Sequence, residues 1–188
     1  MINYDNIQPC DIVLTSSPKL IACGIRIEEA GIQNTFNLKI ANHVGIIIPI
    51  GGPGVKMFAI AEMLADGLKI NSLSDYTKGG WFDDRIVDIK TFTPFQDPVT
   101  RTLIVDQVLS WWQQGKGYDY EGVLKYVLPF LKDKDGKFYC SEMVEHLALT
   151  IAKTDLLENR RTKNDNVTPY DIQKSKLLFS TGWNKLNK

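Results

Sequence analysis

The sequence predicts an α+β domain in which a small antiparallel β-sheet packs against helices. Three observations carry this. Apolar, β-branched runs cluster in the first half of the chain around a dense Gly-Gly-Pro-Gly turn signal. Two segments of the second half carry apolar residues at helical spacing. The strands are gathered together, with helical segments before and after them, and do not alternate as βαβ units do. A length of 188 residues fits one domain over 1–188 and leaves no room for two.

The elements follow in order. Asp11 to Thr15 (DIVLT) is a short apolar strand, and Lys19 to Ala30 reads as a helix stopped by Gly31. Val44 to Ile50 (VGIIIPI) and Val55 to Ala61 flank residues 51–54, which predicts a hairpin. Gly67 to Ile70 is a short third strand, and Arg85 to Phe92 (RIVDIKTF) alternates as another. Thr100 to Gln113 is a helix, with Leu103, Ile104, Val108, Leu109 and Trp112 roughly on one face. Val123 to Leu131 is apolar but interrupted by Pro129. From Phe138 to Lys153, Cys140, Met143, Val144, Leu147, Ala148 and Ile151 recur at the spacing of an amphipathic helix that opens on Cys140. Thr168 before Pro169 is an N-cap and first-turn pair for a last short helix.

Composition narrows the function. Residues of the AVILMFWYC set make up 44% and charged residues 23%, as in ordinary globular domains, which excludes a disordered chain. Lys plus Arg and Asp plus Glu are 22 each, so the basic excess of a nucleic-acid or anionic-membrane binder is missing. With two histidines, three cysteines and no CxxC pair, neither a zinc ribbon nor a disulfide framework is expected. His43, Glu62 and a distant cysteine could ligate zinc, but no local ligand pair exists. There is no GxGxxG or GxxxxGK[ST] for a nucleotide. The N-terminus lacks a secretory pattern, and the strongest apolar run is far below the ~20 residues of a spanning helix. A cytoplasmic protein with reduced thiols and no transmembrane segment is expected; association with a phage, or export by another route, stays open.

The chemistry-bearing candidates are few. A cysteine at a helix N-terminus meets unpaired amides and the positive end of the dipole, which favour an anion there and can donate to an oxyanion. Cys140 fits, although a buried cysteine in an ordinary amphipathic helix would show the same periodicity. His43 opens the hydrophobic strand at Asn42-His43-Val44-Gly45-Ile46, where an imidazole could serve a helix-borne thiol as base. His146 lies six residues beyond Cys140, about 240° round the helix, and is expected to be exposed. If residues 51–54 form the loop, Ile50 pairs with Val55 and His43 falls directly opposite Glu62. A carboxylate there would orient the ring and stabilise imidazolium. A surface His–Glu pair is the plain alternative, and a slip of one residue would separate the two.

Cys10 and Cys23 are weaker nucleophile candidates, because neither opens a helix. Asp11, Asp83 and Asp84 are expected to satisfy backbone groups in turns. Tyr118, Tyr120 and Tyr126, with Trp111 and Trp112, serve core and rim packing or line an apolar pocket.

Taken in order, Asp11-Ile12-Val13-Leu14, Asn42-His43-Val44-Gly45-Ile46, Ala61-Glu62 and Tyr139-Cys140-Ser141-Glu142-Met143-Val144 resemble the "GDI", "HVGI", "xEA" and "YCSxLV" elements of a known group. That group is the circularly permuted branch of the NlpC-like papain-fold family, which includes YiiX-like hydrolases and lecithin:retinol acyltransferase-like enzymes. Thr168-Pro169-Tyr170-Asp171 resembles the "TPxD" element of YiiX-like members, so the likeness runs from about residue 9 to about residue 175. Cys10 stands where that family usually has glycine, and Met143 where leucine is commoner. The resemblance implies a permuted papain-like fold with Cys140 as nucleophile, His43 as base and Glu62 as the orienting residue. It also implies a thiol hydrolase or acyltransferase that acts on an amide or ester bond through an acyl-enzyme and needs no cofactor. The substrate would be a small-molecule, lipid-like or peptide-like acyl compound. Hydrolysis or transfer, the oligomeric state, and a non-catalytic or virion-associated module on the same fold stay open.

Overall fold

In the computed structural model the described residues are 5–17, 39–51, 56–77, 85–117, 119, 138–158 and 167–182. The helix expected at 19–30, the 123–131 segment, Cys23, Asp83, Asp84, Tyr118, Tyr120 and Tyr126 lie outside them.

β1 (Ile12–Ser16) is buried along its whole length because apolar layers cover both of its faces. On one side it pairs with β2 (His43–Pro49), which pairs with β3 (Phe58–Leu64), which pairs with β4 (Gly67–Ser72). On the other side it pairs with β5 (Arg85–Phe92) and then β6 (Leu178–Ser180), giving a six-stranded, antiparallel sheet. Among the described residues the sheet is accompanied by three α-helices, α1 (Pro98–Gln113), α2 (Cys140–Thr150) and α3 (Pro169–Lys174). The α+β class is the one the sequence predicts; β6, only three residues long, was too short to carry a pattern.

Alternation along the strands sorts side chains into two layers. Ile12, Leu14, Val44, Ile46, Ile48, Ala59, Ala61 and Met63 point to the larger one. There they meet Met143, Val144, Leu147 and Ala148 of α2 and Ile104, Val108 and Trp111 of α1. At about 1.5–3 kcal/mol for each large aliphatic side chain buried, this layer is the main source of stability. Val13, Ile47, Phe58, Ile60 and Ile89 point the other way, onto Leu73 and Tyr76 of a 3-10 turn at Leu73–Thr77.

Helix ends follow local chemistry. α1 begins two residues before its expected start because Asp97 caps it, accepting from the Thr100 N–H at 2.8 Å, with Pro98 in the first turn. Its buried face is Ile104, Val108 and Trp111, at i, i+4 and i+7. The expected face was therefore turned slightly: Leu103 is 51% exposed and Trp112 49%. α3 starts as the Thr-Pro pair dictates, with the Thr168 hydroxyl accepting from the Asp171 N–H at 3.1 Å.

The hairpin register differs from the simple four-residue loop. Gly45 pairs with Glu62 and Ile47 with Ile60, and the Ile50 N–H still donates to the Met57 carbonyl at 3.0 Å. The offset from the expected pairing is two residues. Because side chains alternate with a period of two, His43 and Glu62 keep a common face but become diagonal neighbours. The position between them on that face is Gly45. A Cβ there would fall 2.6 Å from Ile60 Cγ2, 2.9 Å from the Ala61 carbonyl oxygen and 3.1 Å from Glu62 Cβ. Gly45→Ala is therefore expected to cost about 1–3 kcal/mol by overpacking. Thermal and urea melts measure this, and an unchanged midpoint would contradict so close an approach of the two strands.

Candidate active site

His43 is the first residue of β2, and the chain leading into it is fixed from two directions. The Asn42 side chain accepts from the Ser17 N–H and donates to the Ser17 carbonyl, both at 3.0 Å. Gln173 of α3 accepts from the Ala41 N–H at 2.9 Å and donates to the Lys39 carbonyl at 2.8 Å. The Lys90 ammonium in turn donates to the Gln173 carbonyl. The short C-terminal helix thus acts as a strap on the residues just before the histidine.

Glu62 lies in the middle of β3 with no exposed surface. A carboxylate so placed needs donors, because burying an ionised group without partners is prohibitive. It has three. The His43 Nε2–H donates to Oε2 at 2.7 Å, Asn71 Nδ2 of β4 donates to Oε1 at 2.8 Å, and the Tyr76 hydroxyl also donates to Oε1. Burial alone would raise the Glu62 pKa, but the bonds and charge of His43, then Tyr76 and Asn71, together hold it below the usual value.

Cys140 is the first residue of α2 and is almost fully buried. Its helix start is tightened by Glu142, whose carboxylate accepts from the Tyr139 N–H at 3.1 Å. The apolar stripe of α2 packs on the Val44 and Ile46 layer, whereas His43, Gly45 and Glu62 belong to the opposite face of the sheet. The His–Glu pair is therefore not on the face that the apolar stripe of the helix covers, where a base serving a helix-borne thiol is expected to lie. The thiol nevertheless meets the imidazole where the helix starts and the strand starts. Burial would lower the His43 pKa; the charge of Cys140 and its side-chain hydrogen bond, followed by the bond and charge of Glu62, raise it from 6.5 to about 10. With Nε2 committed to Glu62, Nδ1 is the nitrogen left for the sulfur. The structure therefore brings together Cys140, His43 and Glu62, with the imidazole between two acidic groups and its side chain 18% exposed.

The other candidates separate cleanly. Cys10 sits in the apolar core with its thiol directed at the Arg101 carbonyl, and burial pushes its pKa up to about 12. Asp11 accepts from the Gln8 N–H at 2.8 Å, as a turn carboxylate should, and also from Thr91 at 2.8 Å and Gln96 at 3.3 Å. His146, expected to be exposed, is instead half-buried against the rings of Trp111 and Phe138, with centroids 5.6 and 5.0 Å away. Burial first, then Lys116, lowers its pKa.

Asn71 and Tyr76 were missed from sequence. Asn71 shows only in the folded register. The third strand runs to Ser72, and its pairing puts Lys69 opposite Glu62 and Asn71 opposite Ile60, on the same face. Tyr76 lies on a 3-10 turn with no periodic pattern, and nothing local marks it.

No family model matches the chain, and no curated protein matches it. Among solved structures it is similar to the metalloprotein yiiX from Escherichia coli O157:H7, with a TM-score of 0.64 and 14% sequence identity over 92% of this chain and 95% of that one. At that identity the likeness shows a shared fold. It agrees with the YiiX-like part of the resemblance read from the motifs and with the α+β architecture.

The site makes folding stability depend on pH. The folded-state pKa of His43 lies above its unfolded value, so its contribution is complete below about pH 6.5 and is lost as pH rises toward about 10. Glu62 is shifted down, so its contribution is present above the ordinary carboxylate range and is lost as pH falls through its lowered folded value. Urea unfolding of the protein and of His43→Gln should therefore show a gap that narrows steadily from pH 7 to 10. A gap independent of pH across that range would contradict the assigned surroundings of His43.

Proposed function

We propose that the chain is a thiol hydrolase or acyltransferase of the permuted papain-like class, with Cys140 as nucleophile, His43 as base and Glu62 as orienting carboxylate. One observation carries the reading: a buried, fully bonded Glu62 holds the imidazole at 2.7 Å while that same imidazole interacts with a thiol at a helix N-terminus. A surface cross-strand pair would have no need of a buried carboxylate with three donors. The fold shared with yiiX and the ordered motifs support the same class.

In this mechanism His43 takes the Cys140 proton, and the ion pair that results is stabilised by Glu62 on the far nitrogen. The thiolate adds to the carbonyl carbon of an amide or ester. The C=O π electrons move to oxygen, and the amides of the first turn of α2 donate to that oxyanion. The tetrahedral intermediate collapses and breaks the bond to the leaving amine or alcohol, which takes its proton from His43. Water or another acceptor then gives a proton to His43, attacks the thioester and releases Cys140 as thiolate. No residue outside the three is required to move a proton.

The name of yiiX raises metal binding as another use of the fold. The donors here do not fit it. Among the described residues there is no group of three His, Cys, Asp or Glu side chains placed to hold an ion. A metal at His43 would have to take Nδ1 from the Cys140 thiol, because Nε2 is committed to Glu62, and a metal at Glu62 would crowd the three donors already on its two oxygens.

A panel of thiol-directed acyl and peptidyl probes, read by mass spectrometry at Cys140, tests the proposal. Cys140→Ala should abolish the adduct and all turnover of any substrate so found. His43→Ala should lose at least about 10³-fold. Glu62→Gln should lose less than the ~10⁴-fold seen when an imidazole is left in the wrong tautomer, because an amide oxygen can still accept the N–H. Turnover by Cys140→Ala equal to that of the unsubstituted protein would overturn the reading and leave a binding module on this fold.

A further inference from the structure

Glu62 must do more than be ionised: one of its two oxygens must face His43, although both could. Its side chain has rotatable bonds, and a carboxylate free to turn would share its charge among several donors. The arrangement divides the two oxygens. Oε1 accepts from Asn71 Nδ2 at 2.8 Å and from the Tyr76 hydroxyl, and Oε2 accepts from His43 at 2.7 Å. The two donors to Oε1 come from different elements, β4 and the 3-10 turn that follows it. The Tyr76 ring packs on the apolar layer of Val13, Ile47 and Ile60, so its hydroxyl is delivered from a fixed position.

We propose that Asn71 and Tyr76 are positioning residues of the site, which act through Glu62 by holding Oε1 so that Oε2 is presented to His43. This rests on the catalytic reading above and deepens it. The pair does two things. It fixes the direction of the carboxylate, and it keeps the buried group ionised, since each donor stabilises the charged form. The other groups that face Glu62 among the described residues are His43 from β2 and Lys69, which lies directly across on β4. The Lys69 ammonium is engaged by Asp66 at 2.9 Å, at the surface, and gives no bond to Glu62. Beyond the imidazole lies Cys140. Protonation of Glu62 therefore deprives the imidazolium of the anion on one side, and the thiolate in turn loses a well-held counter-ion.

The consequence is readable without a known substrate. The rate of Cys140 alkylation by iodoacetamide, followed by peptide mass spectrometry from about pH 2.5 to 9, falls on the acid side where Glu62, held below the usual carboxylate range, becomes protonated. Tyr76→Phe keeps the ring and removes one donor; Asn71→Ala removes the other. In Tyr76→Phe the acid-side midpoint should move up by about half a pH unit or more, and further in the double variant. The midpoint of thermal unfolding of Tyr76→Phe should fall only slightly, since the ring stays packed. If Asn71→Ala fails to fold, Tyr76→Phe decides alone. A uniform drop in rate at every pH, or an unshifted midpoint, overturns the positioning role and leaves the catalytic reading intact. If Cys140 of the unsubstituted protein is not alkylated ahead of Cys10, both readings fall.

Discussion

A carboxylate with no exposed surface, on a strand set between two apolar layers, imposes a condition on everything around it. The cost of burying such a charge is several kcal/mol unless donors surround it. Glu62 meets this condition with an imidazole, an amide and a phenol, each from a different element. The β2–β3 register, the extra length of β4 and the 3-10 turn that carries Tyr76 are all needed to assemble those donors. Gly45 has the same explanation. It sits opposite Glu62, where a Cβ would strike Ile60 and the Ala61 carbonyl, and its small size lets the diagonal His43–Glu62 contact form.

The imidazole then links two parts of the chain that lie far apart in sequence. Its strand is held by Asn42 and by Gln173 of α3, and its second acidic neighbour is the first residue of α2. Helix α2 is held by the larger apolar layer on the other face of the sheet. The thiol–imidazole contact therefore depends on two separate cores: one sets the position of the helix, the other that of the carboxylate. That division explains how the contact can form although the helix stripe and the His–Glu pair belong to opposite faces.

Much of this was legible in the sequence, for physical reasons that can be named. The continuous apolar runs of β1 and β2, the alternating segment of β5 and the α2 stripe were readable because each pattern reflects which faces are buried. The Cys140, His43 and Glu62 positions stood out because reactive residue types are scarce in this chain and fall at element starts or on a shared face. The pairing of His43 with Glu62 was right in face and wrong in register. Turn residues limit where a hairpin reverses, but they do not count how many residues the loop takes. His146 was misjudged because its burial comes from Trp111 and Phe138, residues outside its own helix period. Asn71 and Tyr76 were invisible for a related reason: a hydrogen-bond donor to a buried carboxylate leaves no periodic trace, and only the folded register shows it.

The central claim is that His43 is an imidazole held between Cys140 and Glu62. The most direct measurement is an NMR titration of the imidazole signals in the unsubstituted protein and in Cys140→Ala. The chain has two histidines, and His146, whose pKa burial lowers, serves as the internal reference. The expected result is a His43 that titrates far above the ordinary histidine range, toward about 10, and drops markedly when the thiol is removed. A His43 that titrates in the ordinary range in both proteins would contradict the claim.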